Sequence, residues 1–177
     1  MSAVLPSVLA KPLPPRTRLR AVLANDYDAV HALLQRNDAR MRSRAGWNWA
    51  LIDNPVRRAV GADAGWVLEH GDQMVGFLGN LPLRCHLDGL AVWGATCTDS
   101  IVDDAHRAHG VRLIRAFAAQ PGAAFVYAAD LADAQAPHFH SLGFAPVDKL
   151  QTAAHLRWTS HHGAAWAQAL RLSLIHI

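Results

Sequence analysis

From Leu90 to Val102 the chain is apolar or β-branched at most positions, and Asp103 and Asp104 break that run. This predicts a strand ending in a loop. From Val111 the apolar positions Val111, Ile114 and Ala118 fall three and four apart, with Leu113 and Phe117 widening the same face, which predicts a helix. Gly110 sits where the loop turns into that helix. A glycine there lets a backbone or a phosphate approach where a Cβ would block it. The first turn of a helix also has unpartnered N–H groups and partial positive charge, together an anion site. Upstream, Gly65 to His70 and Gln73 to Gly79 flank the tight turn Gly71-Asp72 and predict an antiparallel hairpin. Asn80 to Arg84 extends it past Pro82, and Leu87-Asp88-Gly89 turns the chain into Leu90–Val102. Thr17 to Leu23 alternates as a first strand.

Asn25 or Asp26 caps a helix whose face is Tyr27, Val30, Leu33 and Leu34. His31, Gln35 and Arg36 point away from that face, and His31 reads as a solvated residue. Arg40 to Asn54 is a further helical segment stopped at Asn54-Pro55. Gly94 marks a bulge or a close backbone approach. Beyond Pro121-Gly122, Ala123 to Ala129 reads as a short buried strand and Asp130 to Leu142 as a helix. Pro137 fits that helix as a kink or a restart, and Gly143 is its left-handed cap. Strand, helix, strand implies a right-handed crossover with Leu90–Val102 parallel to Ala123–Ala129. The expected fold class is α/β of the α+β kind. Its sheet is mixed and mostly antiparallel, with one parallel pair, and helices flank it.

At 177 residues, 51% hydrophobic and 18% charged, the chain is long and apolar enough for one domain with its own core. No apolar run approaches the ~20 residues of a membrane helix, so no membrane partner is expected. Met1 to Asn25 has no acid, four prolines and the basic residues Lys11, Arg16, Arg18 and Arg20. A transit peptide needs an amphipathic helix that these prolines spoil, so residues 1–17 read as a flexible leader. A nucleic-acid arm would need aromatic interleaving, and no nucleic-acid partner is expected. Net charge is +3 and rests almost wholly on arginine, with Lys11 and Lys149 the only lysines. Cys85 and Cys97 lack paired metal spacing, so free thiols in a reducing, cytoplasmic setting are expected, with Cys97 a buried small hydrophobe. His106-x-x-His109 has no carboxylate or cysteine partner in sequence for zinc, and no metal is expected. There is no Gly-x-Ser-x-Gly elbow and no Walker loop.

The strand–loop–helix around Gly110 resembles the acyl-coenzyme A site of the GNAT acyltransferase superfamily, whose signature is Val-x-Pro-x-x-Arg-x-x-Gly-x-Gly/Ala. Val102, Arg107 and Gly110 match it, Asp104 replaces the proline, and Arg112 replaces the last small residue. Leu142-Gly143-Phe144 after a short helix is a second hallmark, in the correct order, and the likeness spans residues 18–150. The resemblance implies that backbone N–H groups of Arg107, Ala108, His109, Gly110, Val111 and Arg112 hold the coenzyme's pyrophosphate. It implies that Ser100, Ile101 and Val102 pair with the pantetheine arm. The substrate would be acetyl-coenzyme A or another acyl-coenzyme A. The acceptor would be an amine of a small molecule or sugar precursor. Trp47 and Trp49 before Asn54-Pro55 either border the acceptor or simply pack on the sheet. Residues 151–177 are an extension or the start of a second domain. The ending Leu172 to Ile177 reads as a translated sequencing adapter or a chain cut within a longer protein. A second GNAT-like domain or a homodimer is the partner this admits.

Direct acyl transfer needs an oriented thioester, a polarised carbonyl, a base for the amine and an acid for the thiolate. Asp99, Glu69 and His86 are the candidate bases, and Asp99 is preferred because it lies beside the expected thioester. The family often places a tyrosine four residues before Gly-Phe as the acid, and this chain has Phe139 there. His138 and His140 flank it and read as exposed helix residues. Arg112 either clamps a phosphate or crowds the loop. Two functions follow: an acyl-coenzyme A N-acyltransferase, or a degenerate, non-catalytic GNAT half that packs or binds.

Overall fold

A computed structural model describes residues 16–129, 131 and 135–146. Contacts divide the chain into residues 1–144 and 145–177, and the fold below is that of the first unit. The expected leader, apart from Arg16 and Thr17, and the extension 151–177 lie outside the described residues.

The sheet is ordered β1 (Thr17–Ala21), β2 (Gly65–His70), β3 (Gln73–Leu87), β4 (Leu90–Val102) and β5 (Val126–Tyr127). The first four strands pair antiparallel, and β5 lies parallel to β4 through Ala95–Val126 and Thr96–Tyr127. The expected mixed sheet and its parallel pair are both present. On one face lie α1 (Tyr27–Arg36), α2 (Arg44–Trp47), a π turn at Asn48–Ile52, and α3 (Pro55–Val60). Val30, Leu33 and Leu34 of α1 and Trp47 pack there on Val67 and Phe77. On the other face α4 (Gly110–Ala118) and α5 (Ala136–His140) bury Leu113, Ile114, Phe117 and Phe139 on Trp66, Leu68 and Leu78. Helices on both faces explain why β2 and the first half of β3 read as apolar runs rather than as alternation. Each fully buried Phe or Leu contributes roughly 1.5–3 kcal/mol. Among the described residues no helix is long and apolar enough to cross a membrane.

Local chemistry sets the ends. Asn54 caps α3 by accepting from the N–H groups of Val56 and Arg57 at 2.9 and 3.0 Å, with Pro55 in the first turn. Asp26 precedes α1 without capping it. Its buried carboxylate instead accepts from the Leu23 N–H at 2.7 Å and from both terminal nitrogens of Arg20 at 2.6 and 2.9 Å.

Further expectations change. Strand β5 is two residues long, where seven were expected. The described helix before Gly143 is Ala136–His140 with Pro137 in its first turn, and Asp130 and residues 132–134 of the expected helix lie outside the described residues. Gly94 marks no bulge. A Cβ there would lie 2.6 Å from the Phe125 ring, so the close approach is by an aromatic side chain.

Candidate functional site

The site is organised by a bulge in β4. Thr98 pairs with Gly79 and Ile101 with Phe77, so β4 spends three residues where β3 spends two. Asp99 takes up the extra step at φ 51°, in the left-handed region that an aspartate tolerates better than most side chains. A bulge bends its strand and raises its twist. Here β4 and β5 pair only at Ala95 and Thr96. From Cys97 to Val102, β4 keeps its β3 partner on one edge and, among the described residues, has no strand on the other. A recorded contact to that stretch is Gln135, whose Nε2 donates to the Ser100 carbonyl at 3.3 Å. Ser100, Ile101 and Val102 therefore present a strand edge next to the helix that follows.

That helix is entered through a 3₁₀ turn, Asp104–His109. The His106 N–H donates to the Asp103 carbonyl at 2.8 Å, and the Gly110 N–H donates to the Arg107 carbonyl. The N–H groups of His106 and Gly110 are thus already paired, besides those bonded within the 3₁₀ turn itself. Gly110 has an ordinary helical φ of −57°, and a Cβ there would meet only Val102 Cγ2 at 3.4 Å. The fold itself does not require glycine at this position. Arg107 and Ala108 are exposed, and Arg107 pairs with Asp104 at 2.7 Å on the surface. Arg112 Nη1 donates to the Thr17 carbonyl at 2.9 Å. The His106 ring stands 4.7 Å from His70 and 6.4 Å from His109. Among the described residues no cluster of histidine, cysteine or carboxylate side chains could hold a metal ion.

On the other side of the bulge lies a small cavity under α1 and α2. Tyr27, Trp47 and Phe77 wall it, with Val30 and Leu34 behind, and His31, Arg42 and Asp99 are its polar members. It has room for about one water molecule. Trp47 stands 5.5 Å from Phe77 and 5.9 Å, edge-on, from Tyr27. The Trp47 indole is buried with no acceptor for its Nε1–H among the described residues. Trp47 both packs on the sheet and lines the cavity, and Trp49 is exposed. His31 is half-buried and lines the cavity, where a solvated residue was expected, because its ring lies 5.6 Å from Tyr27 one turn earlier.

Of the three candidate bases, only Asp99 borders this cavity. Its Oδ2 accepts from Arg42 Nε at 2.6 Å and from Thr98 Oγ1 at 3.1 Å. Glu69 is taken up by Arg20 Nε at 2.7 Å, and His86 is exposed near the tip of the β3–β4 hairpin. Phe139 is fully buried, edge-on to Phe144 at 5.1 Å, while His138 and His140 are exposed. Among the cavity residues, Tyr27 reads from the sequence as part of the buried face of α1, and Arg42 lies in the segment expected to be helical, whereas the structure puts it on the loop before α2.

No family model matches the sequence, and no curated protein matches it. Solved structures do match. Glucosamine-6-phosphate N-acetyltransferase from Arabidopsis thaliana superposes with a TM-score of 0.56 at 11% identity, over 83% of this chain and 99% of that one. A predicted acetyltransferase with acetyl-CoA from Clostridium acetobutylicum gives 0.56 at 13%, over 83% and 99%. An aminoglycoside acetyltransferase from an uncultured soil metagenomic sample, in complex with trehalose, gives 0.53 at 17%, over 82% and 97%. These likenesses show that this chain has the GNAT acetyltransferase fold, with a five-stranded sheet of four antiparallel strands and one parallel pair among the described residues.

Proposed function

We propose that this protein is an acyl-coenzyme A-dependent N-acyltransferase that moves an acyl group directly to an amine of a small molecule. The observation that carries this reading is the edge of β4 from Cys97 to Val102, on which no strand pairs among the described residues on the side away from β3, lying between the α4 entry and the aromatic cavity. Ser100 to Val102 would pair with the amide groups of pantetheine as a neighbouring strand does. The pyrophosphate would sit at Arg107 to Arg112 against the start of α4, in the room that Gly110 leaves. The thioester carbonyl would then lie near the bulge. The amine nitrogen attacks that carbonyl, the C–N bond forms, and the C–S bond breaks with its electron pair leaving on sulfur. Asp99 takes the amine proton, directly or through a water. Phe139 offers the thiolate no proton, so the thiolate is protonated by solvent.

Two observations favour a second reading, a non-catalytic module: Phe139 in the acid's position, and the N–H groups of His106 and Gly110 already paired. Coenzyme binding separates them. At a hundred times its dissociation constant, coenzyme A should stabilise the fold by ~2.7 kcal/mol. For a chain of this size that is a melting shift of roughly 5–10 °C. Gly110→Val should remove the shift and leave the free protein folded. No shift with millimolar coenzyme A or acetyl-coenzyme A selects the module. A shift that survives Gly110→Val moves the ligand elsewhere.

A further inference from the structure

We infer that the aromatic cavity takes its acceptor as a protonated primary amine on an apolar stem, and that this ammonium replaces the Arg42 guanidinium on Asp99. The inference rests on the acyltransferase reading for the cavity's purpose, but not for its chemistry.

Arg42 fills the place a cationic substrate would occupy. It lies on the loop between α1 and α2, and its guanidinium donates from Nε to Asp99 Oδ2 and from Nη2 to Thr98 Oγ1, both at 2.6 Å. Tyr27 Oη donates to the Arg42 carbonyl at 2.9 Å and holds that loop against α1. With the guanidinium in place, the cavity has room for about one water and none for a substrate. Something must move to admit one. Trp47 is buried and locked between Tyr27 and Phe77, so it is a poor candidate. The Arg42 side chain is 41% exposed and sits on a loop, and a half-exposed ion pair of this kind is worth only about 0–1 kcal/mol. Opening therefore goes through Arg42.

Once Arg42 leaves, the chemistry of the occupant is fixed by what remains. Asp99, 19% exposed with Arg42 seated on it, loses a charged donor when Arg42 leaves, and a cationic donor is what replaces that bond. Tyr27, Trp47 and Phe77 present aromatic rings, which favour a cation and an apolar stem together. A primary ammonium meets both demands and carries the nitrogen that an acyl group would join. Arg42 is thus an intramolecular competitor. The apparent affinity for the amine is lowered by the fraction of molecules in which Arg42 stays on Asp99.

The test is a calorimetric titration of the full chain with n-butylamine at neutral pH, where it is an ammonium, and with 1-butanol as the neutral probe. Arg42→Met keeps the stem and removes the competing charge, and should tighten butylamine at least fivefold with a smaller change for butanol. Arg42→Lys restores a cation on the loop and should return affinity toward the wild-type value. Asp99→Asn should weaken butylamine at least tenfold. Asparagine tolerates the left-handed backbone there, so this variant keeps its fold. If Arg42→Met binds butylamine no tighter, or gains as much for butanol, the exchange is wrong and the cavity responds to space alone. The coenzyme A melting shift, measured on the same samples, keeps the two claims apart. A shift without amine tightening overturns this inference only. Amine tightening without a shift overturns the transferase reading and leaves the amine site standing.

Discussion

Arg36, at the end of α1, grips Asp103, the residue that joins β4 to the entry of α4. Arg36 Nε donates to Oδ1 at 3.0 Å and to Oδ2 at 3.2 Å, its Nη2 donates to Oδ2 at 2.6 Å, and Asn37 Nδ2 adds a bond to Oδ1 at 2.7 Å. The same Arg36 donates to the Met74 carbonyl on β3. The Asp103 N–H in turn donates to the Val75 carbonyl at 2.9 Å. The helix on one face of the sheet thus fixes the point from which α4 departs on the other.

Asp103 should make stability pH-dependent in acid. Burial alone would push its carboxyl up, but the hydrogen bonds from Arg36 and Asn37, with the charges of Arg36 and His106, hold it below the usual carboxylate range. The folded form therefore binds this proton less tightly than the unfolded chain. The contribution is complete above the ordinary carboxylate range and is lost as pH falls through the lowered folded value. Asp103→Asn should cost about 1–2 kcal/mol at pH 7, and that difference should vanish in strong acid. Urea unfolding of both proteins at several pH values measures it. A difference that grows in acid would refute the assignment.

Gly94 should resist even alanine. The added Cβ would lie 2.6 Å from two atoms of the Phe125 ring, where β5 joins β4. Overpacking of this kind typically costs 1–3 kcal/mol. Phe125 is partly exposed, so its own truncation is tolerable. In a double-mutant cycle with Phe125→Ala, the cost of Gly94→Ala should fall by more than half. Strictly additive effects would mean the ring is not the obstacle.

Cys97 should be nearly inert to alkylation at neutral pH. Burial pushes its thiol up to about 11. In a Cys85→Ser background, iodoacetamide labelling at pH 7.5, followed by mass, should run at least tenfold slower than for free cysteine. The rate should rise about tenfold per pH unit up to pH 10 while the fold holds. Fast labelling at pH 7.5 would contradict a half-buried thiol packed against the core, where a fully buried one was expected from sequence.

The order of the main elements was legible in the residues alone. Leu90–Val102 forms one strand over those bounds because its β-branched run is closed by two aspartates that cannot be buried unpaired. The Gly65–His70 and Gln73–Gly79 hairpin, the parallel pairing of β4 with β5, and the spacing of Val102, Arg107 and Gly110 that carries the resemblance were likewise legible. These are properties of short stretches: a period of two or of three to four residues decides which face is buried, and turn residues decide where it stops. What the tertiary structure alone decided is the contents of the site. The bulge at Asp99 follows from how β3 and β4 come into register, which no local period encodes. Arg42 finds Asp99 across 57 positions and Arg112 finds Thr17 across 95. A long, charged side chain on a loop or helix rim can reach any partner within its radius, so its choice is made only when the packed helices bring one carboxylate or carbonyl within that reach.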